Sequence, residues 1–188
     1  SQALIKLNRK AFKQKPQTIF AAYTEQIEQT LMLAQSVSKR FAKDLTPFGK
    51  EISAAMMEIM LPMTEYTERL RGMGAGIAAK GKVTKAQIQE MQALVYELRS
   101  ANKKLQNTLS KIIASYPNKL PQTISNELAK VNKGVKNYTA FTQKKLLKEP
   151  NKVNADSYFD NGTKLIEDII AVYDTSNKAI MEDAKGWL

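Results

Sequence analysis

Arg71 stands beside Gly72, Gly74 and Gly76, inside a stretch whose apolar residues otherwise keep helical spacing, although the whole chain has only eight glycines. Glycine in a helix interior costs about 1 kcal/mol relative to alanine. Three within a turn and a half therefore imply that a neighbouring backbone or a bound molecule comes unusually close. Arginine keeps its proton and presents a planar fork of N–H donors, so a bare helix surface beside it suits the docking of something anionic. Tight helix packing with Arg71 left in solvent explains the same residues.

Other chemistry is thinly supplied. With no cysteine and no histidine, the chain lacks thiolate nucleophiles, disulfides, most zinc sites and most nucleophile–base pairs. Carboxylate, lysine and tyrosine chemistry remains. The paired carboxylates Asp156 and Asp160, and Glu167 and Asp168, are explained by helix N-terminal charge and solvated faces, so no enzyme is expected and neither a metal nor a cofactor is implied. The net charge of +11 is spread widely: residues 1–82 carry 13 basic and 7 acidic groups, residues 83–150 carry 12 and 4, and residues 151–188 carry 4 and 7. Only Arg9, Arg40, Arg69, Arg71 and Arg99 are arginine, whereas readers of bases and phosphates favour the guanidinium fork. Lysine-rich solvated faces account for the excess, and no nucleic-acid partner is expected.

The elements that must position Arg71 follow from periodicity. A short basic amphipathic segment covers 2–14 and stops at Lys15-Pro16. A first long helix runs from about Thr18 to Lys43 through Ile19, Tyr23, Ile27, Leu31, Ala34, Val37 and Phe41. Thr46 then caps a helix that starts at Pro47. Its stripe of Ile52, Ala55, Ile59, Pro62, Tyr66, Leu70, Met73 and Ile77 predicts a kink at Pro62 and a stop at Lys80-Gly81. Thr84 caps the next helix, whose seam is Met91, Val95, Leu98, Asn102, Leu105, Leu109, Ile112 and Tyr116. Asn102 on that seam fixes register at some cost in stability.

Pro117 and Pro121 bracket the next turn. A further helix passes through Ile124, Leu128, Val131, Val135, Tyr138 and Thr142 to about Leu147. After a loop at 149–154, the last helix carries Phe159, Ile166, Ile169, Tyr173, Ile180, Ala184 and Trp187. No segment alternates with period two for long enough to form a strand. The predicted fold is all-α: an elongated antiparallel bundle resembling a four-helix bundle, with about five long helices plus a short N-terminal helix, forming one domain over 1–188. No run of about 18 apolar residues is present, so the sequence itself holds no membrane span and no secretory signal. Trp187, the only tryptophan, stands with Leu188 at the end of the sequence, where an interfacial anchor would precede a membrane helix.

Two segments carry a resemblance. One is Tyr66-Thr67-Glu68-Arg69-Leu70-Arg71-Gly72-Met73-Gly74-Ala75-Gly76-Ile77-Ala78-Ala79-Lys80-Gly81, followed by Thr84. The other is Ala155-Asp156-Ser157-Tyr158-Phe159-Asp160-Asn161-Gly162-Thr163-Lys164-Leu165-Ile166. Over roughly residues 20–188 the chain resembles the helical sensor regions found between the two membrane helices of bacterial methyl-accepting chemotaxis transducers and some sensor histidine kinases. The resemblance implies a homodimeric sensory bundle with its ligand in the periplasm and both termini near the inner membrane, joined to membrane helices in the full-length protein. The region before Thr18 is short for that family, which implies a truncated first helix.

In such a sensor a ligand sits between helices with a few polar groups converging on it. Arg71, Arg69, Tyr66 and Thr67 lie within about one and a half turns of one another, and Tyr158, Asn161 and Thr163 come from the second segment. These two stretches are expected to face each other and hold a small anion or carboxylate, with Arg71 making a bidentate contact. Each residue also has a plainer role: Arg69 pairs with Glu65 one turn earlier, Tyr66 and Tyr158 fill core, Asn161 and Thr163 serve helix turns, and Asp156 caps the last helix. The methionines Met56, Met57, Met60, Met63 and Met73 read as gap-filling core or as an adaptable binding surface.

Overall fold

A computed structural model describes residues 45–186 of the chain. The expected segments at 2–14 and 18–43, and Trp187 and Leu188, lie outside the described residues. Within them every regular element is helical: α1 (Pro47–Ala55), a π-turn (Met56–Met60), α2 (Leu61–Lys80), α3 (Lys85–Ser115), α4 (Thr123–Phe141), a second π-turn (Thr142–Leu146), a 3-10 turn (Pro150–Lys152) and α5 (Ala155–Lys185). With α1 continuing through its π-turn into α2, this makes four long antiparallel rods, as expected. Packing runs in a ring: α2 against α3 and α5, and α4 against α3 and α5. None of the described helices is long and apolar enough to cross a membrane.

Local chemistry sets the ends. Thr46 Oγ accepts from Gly49 N at 3.0 Å, with Pro47 at the first helical position, which occupies an otherwise orphaned donor. Thr84 and Gln87 satisfy each other's backbone N–H groups at 3.1 and 3.0 Å, a reciprocal capping box. Gly81 closes α2 at φ 67°, the left-handed conformation that a side chain disfavours. The last helix is capped by Asn154, whose Oδ1 accepts from Ser157 N at 2.9 Å. Asp156, the expected cap, sits instead in the first helical turn.

The seam of α3 is buried as spaced: Met91, Val95, Leu98, Asn102, Leu105, Leu109 and Ile112. Asn102 donates to Asn132 Oδ1 at 3.0 Å and accepts from Gln106 at 3.2 Å, while Gln106 also donates to Leu128 O at 2.9 Å. This polar tie at the α3–α4 contact fits the register role expected of a core asparagine.

The α1–α2 rod differs from its predicted stripe. In the first π-turn Leu61 N donates to Met56 O, five residues back, and the widened turn makes room for the ring of Pro62, the position at which the sequence predicts a kink. An extra residue in one turn moves the buried face by one position. After the turn, Thr67, Arg71, Gly74 and Ala78 are buried, where a continuous stripe would put Tyr66, Leu70, Met73 and Ile77. Leu70 and Ile77 stay buried, but Tyr66 and Met73 are only half-buried. Arg71 thus faces the interior. Methionines fill the space around the turn: Met56, Met60 and Met63 are fully buried, as suits an unbranched side chain in an irregular gap.

Candidate anion site between two helices

Arg71 has no solvent exposure and is the largest fully buried side chain of the described residues. Its Nη1 donates to Thr163 Oγ on α5 at 2.9 Å, and its guanidinium carbon lies 4.4 Å from the centroid of the Phe159 ring. Both partners belong to α5, one helical turn apart. The ring face attracts the cation and replaces part of its lost hydration, while the hydroxyl fixes the orientation of the fork. Thr163 Oγ in turn donates to Phe159 O at 3.2 Å.

Two glycines bring the helices together. At Gly74 on α2 the space of a side chain is filled by the Tyr158 ring, with Cζ 2.6 Å from where a Cβ would stand. At Gly162 on α5 a Cβ would lie 2.6 Å from Tyr138 Oη and 2.9 Å from Arg71 Cβ and Cγ. The arginine stem lies on bare α5 backbone, and the tyrosine ring lies on bare α2 backbone. Gly76, by contrast, faces open space, so the close approach inferred for all three glycines of the cluster does not hold there.

Around this contact sits a cluster of tyrosines and threonines. Tyr138 on α4 stacks on Tyr158 at 4.8 Å between centroids and donates to Tyr158 O at 3.2 Å. Thr142, at the start of the second π-turn, donates to Tyr138 O at 2.8 Å and meets Tyr158 Oη at 2.8 Å. With the threonine proton so placed, the Tyr158 hydroxyl is the donor. Burial raises the pKa of both phenols, with Tyr138 pushed well above its ordinary value by burial and then by Tyr158, against a lowering influence of Arg71. Both are neutral donors at any physiological pH.

The expected site residues therefore divide. Arg71, Thr163 and Tyr158 converge. Thr67 is buried on the same face of α2, but its hydroxyl donates to Met63 O at 2.8 Å. Tyr66 is half-buried one position off that face. Arg69 points outward and pairs with Glu65 at 2.7 Å, both side chains more than half exposed, a pairing worth little to stability. Asn161 is exposed and lines a groove between α4 and α5. Phe159, Gly162, Tyr138 and Thr142 were not foreseen as site residues. Phe159 and Gly162 do stand beside Thr163 in the second marked segment, which was the available signal. Tyr138 and Thr142 gave none beyond their place on a core stripe.

The described residues thus define an all-helical bundle that holds a buried guanidinium between two glycine-thinned helices. Residues 4–181 match the family described as nitrate and nitrite sensing, NIT, and the chain belongs to that family of helical extracytoplasmic sensor domains, found in sensor kinases and chemotaxis-type proteins. No curated protein and no solved structure gives a match.

Proposed function

We propose that this domain senses nitrate or nitrite through Arg71, as the extracytoplasmic part of a bacterial membrane chemoreceptor. The supporting observation is a guanidinium buried without solvent between α2 and α5, its Nη1 donating to Thr163 Oγ and its carbon over the Phe159 ring, in a chain whose family is described by nitrate and nitrite sensing. Nitrate is flat, with oxygens spaced to accept two parallel N–H bonds from one guanidinium. Thr163 is placed to swing its hydroxyl proton from Phe159 O toward the oxyanion. In a water-excluded interface both bonds are stronger than in solvent. The family description names the same two anions.

Ligand binding favours one of two packings of α2 against α5, to the extent of its differential affinity for them, and α5 carries the difference toward the membrane. The domain acts as a homodimer in the periplasm, attached to membrane helices of the inner membrane at both ends. The same geometry serves the sensor of a membrane histidine kinase. A module that binds only another protein would show no saturable anion binding.

Isothermal titration of the protein with nitrate, nitrite and chloride tests the reading, alongside Arg71→Met, which keeps similar volume and removes the charge. Nitrate or nitrite binding is expected in the wild type and a loss of at least tenfold in affinity in Arg71→Met, with helical circular dichroism retained. Equal binding by both proteins removes Arg71 from the site.

A further inference from the structure

The groove that Asn161 lines runs between α4 and α5, half open to solvent, with a volume of about 560 Å³, far larger than a triatomic or tetraatomic anion needs and within the range of sites that take organic molecules. Its antiparallel walls can be read in register. Gly134 on α4 faces Leu165 on α5, with Leu165 Cδ1 2.8 Å and Asp168 Oδ2 3.9 Å from where a Cβ would stand. Leu165 fills the space that a side chain at 134 would take, so the two helices approach closely there and the groove has an apolar waist at its middle.

On either side of that waist the lining differs. Toward one end lie Lys130 and Asp168, the carboxylate feeling Lys164 one turn back on α5 as well as Lys130; toward the other lie Asn137 and Asn161, with Phe141 beyond them on α4. Lys133 and Lys164 leave the three ammonium groups of the lining in excess over its single carboxylate. Phe141 is 40 % exposed, one of few large apolar side chains so placed among the described residues. Tyr138 and Leu165 form a buried apolar floor.

We propose that this groove is a second binding site, separate from Arg71, for an organic carboxylate carrying a flat apolar ring. The ring lies on Leu165 and Tyr138 and covers the exposed face of Phe141; the carboxylate is held by Lys133 and Lys164; the amides of Asn137 and Asn161 serve the remaining oxygen positions. Each part uses ordinary chemistry: aromatic stacking on a half-exposed ring and charge-assisted hydrogen bonds at the rim. Nitrate fills neither the volume nor the apolar floor, so the two sites differ in ligand class. Tyr138 belongs to both surroundings, with its ring in the floor of the groove and its hydroxyl against the Gly162 backbone beside Arg71.

Benzoate is the probe, with neutral benzamide as control, in a two-dimensional amide NMR titration of the 15N-labelled protein. The variant is Lys133→Gln with Lys164→Gln, two exposed positions that keep the fold. Saturable benzoate shifts are expected for amides of residues 133–141 and 161–168, with at least fivefold weaker affinity in the double variant and for benzamide. Three outcomes overturn the proposal: no saturable shifts along the groove, the same affinity in wild type and double variant, or shifts centred on Arg71 and Gly74 and lost in Arg71→Met.

Discussion

A methyl group at Gly74 would meet the Tyr158 ring at 2.6 Å from Cζ and 2.8 Å from its hydroxyl, and that ring cannot retreat, being 1 % exposed and stacked on Tyr138. At Gly162 the obstacles are Tyr138 Oη at 2.6 Å and the Arg71 stem at 2.9 Å, the latter held by the Thr163 bond and the Phe159 ring. Overpacking of this kind costs about 1–3 kcal/mol, so Gly74→Ala and Gly162→Ala are expected to lower stability in urea titrations by that amount. Gly76→Ala points into open space in an exposed part of the same helix, and there the helix propensity of alanine is expected to raise stability by up to about 1 kcal/mol. Equal effects at Gly74 and Gly76 would contradict the close approach. The sequence put all three glycines of the cluster on the same footing, because cost in a helix is a local property and the reason for tolerating it is not. Only the partner helix separates a glycine that makes room from one that does not.

At the scale of elements, caps and seams were legible and the turn between α1 and α2 was not. Thr46, Thr84 and Gly81 act within a few residues, and the α3 seam repeats over many turns, so spacing alone locates them. A π-turn leaves the composition unchanged and shifts the phase of everything after it. That shift explains why Tyr66 lies off the buried face and why Arg71 is inside it, where the sequence left solvent and interior open. The ends of the elements are tied by charge as well as by caps. Asp183 on α5, its side chain 6 % exposed, accepts from Thr46 Oγ at the α1 cap and pairs with Lys119 in the α3–α4 turn at 2.8 Å.

Burial alone would raise the pKa of Asp183, but the bonds from Lys119 and Thr46 outweigh it and hold the carboxyl below its ordinary value. A depressed folded pKa contributes stability that is fully present above the unfolded value of about 3.9 and is lost as pH falls through the lower folded value. Asp160, Glu167 and Asp168 on the same helix are shifted the other way, chiefly by burial; their strain is present above the raised folded values and is relieved as pH falls through them. Stability on acidification from neutrality is therefore expected first to rise slightly and then to fall below about pH 4. Asp183→Asn is expected to cost about 1–3 kcal/mol at pH 7, a difference that shrinks as pH falls through the lowered folded pKa of Asp183. Urea denaturation from neutral to acid pH measures both, and a difference that persists unchanged at pH 2 would exclude the ion pair as its source.

For the domain as a sensor, the question is whether a contact near one end of α5 is felt at the other. Tyr158, Phe159, Gly162 and Thr163 occupy its first third, and the Asp183 tie lies near its last turn. Twenty residues of helix separate Thr163 from Asp183, roughly 30 Å at 1.5 Å per residue. Between them Ile166, Ile169, Val172, Tyr173, Ser176 and Ile180 are buried, so the rod has few ways to bend and a shift at Thr163 travels as a displacement of the whole element. Close packing resists small continuous changes, and the Thr46–Asp183–Lys119 tie is the contact near that end of α5 that a displacement would load. Met181 is 48 % exposed two residues before Asp183, which makes it a suitable reporter. With Met181→Cys carrying a trifluoromethyl label, saturating nitrate is expected to shift the fluorine resonance in an otherwise wild-type protein and to leave it unchanged when Arg71→Met is also present. Adding Asp183→Asn to the labelled protein is expected to move the resonance in the absence of nitrate, because the tie that holds the resting position is weakened. A resonance unmoved by nitrate, in a protein that calorimetry shows to be saturated, would mean that α5 ends the signal at the site instead of carrying it.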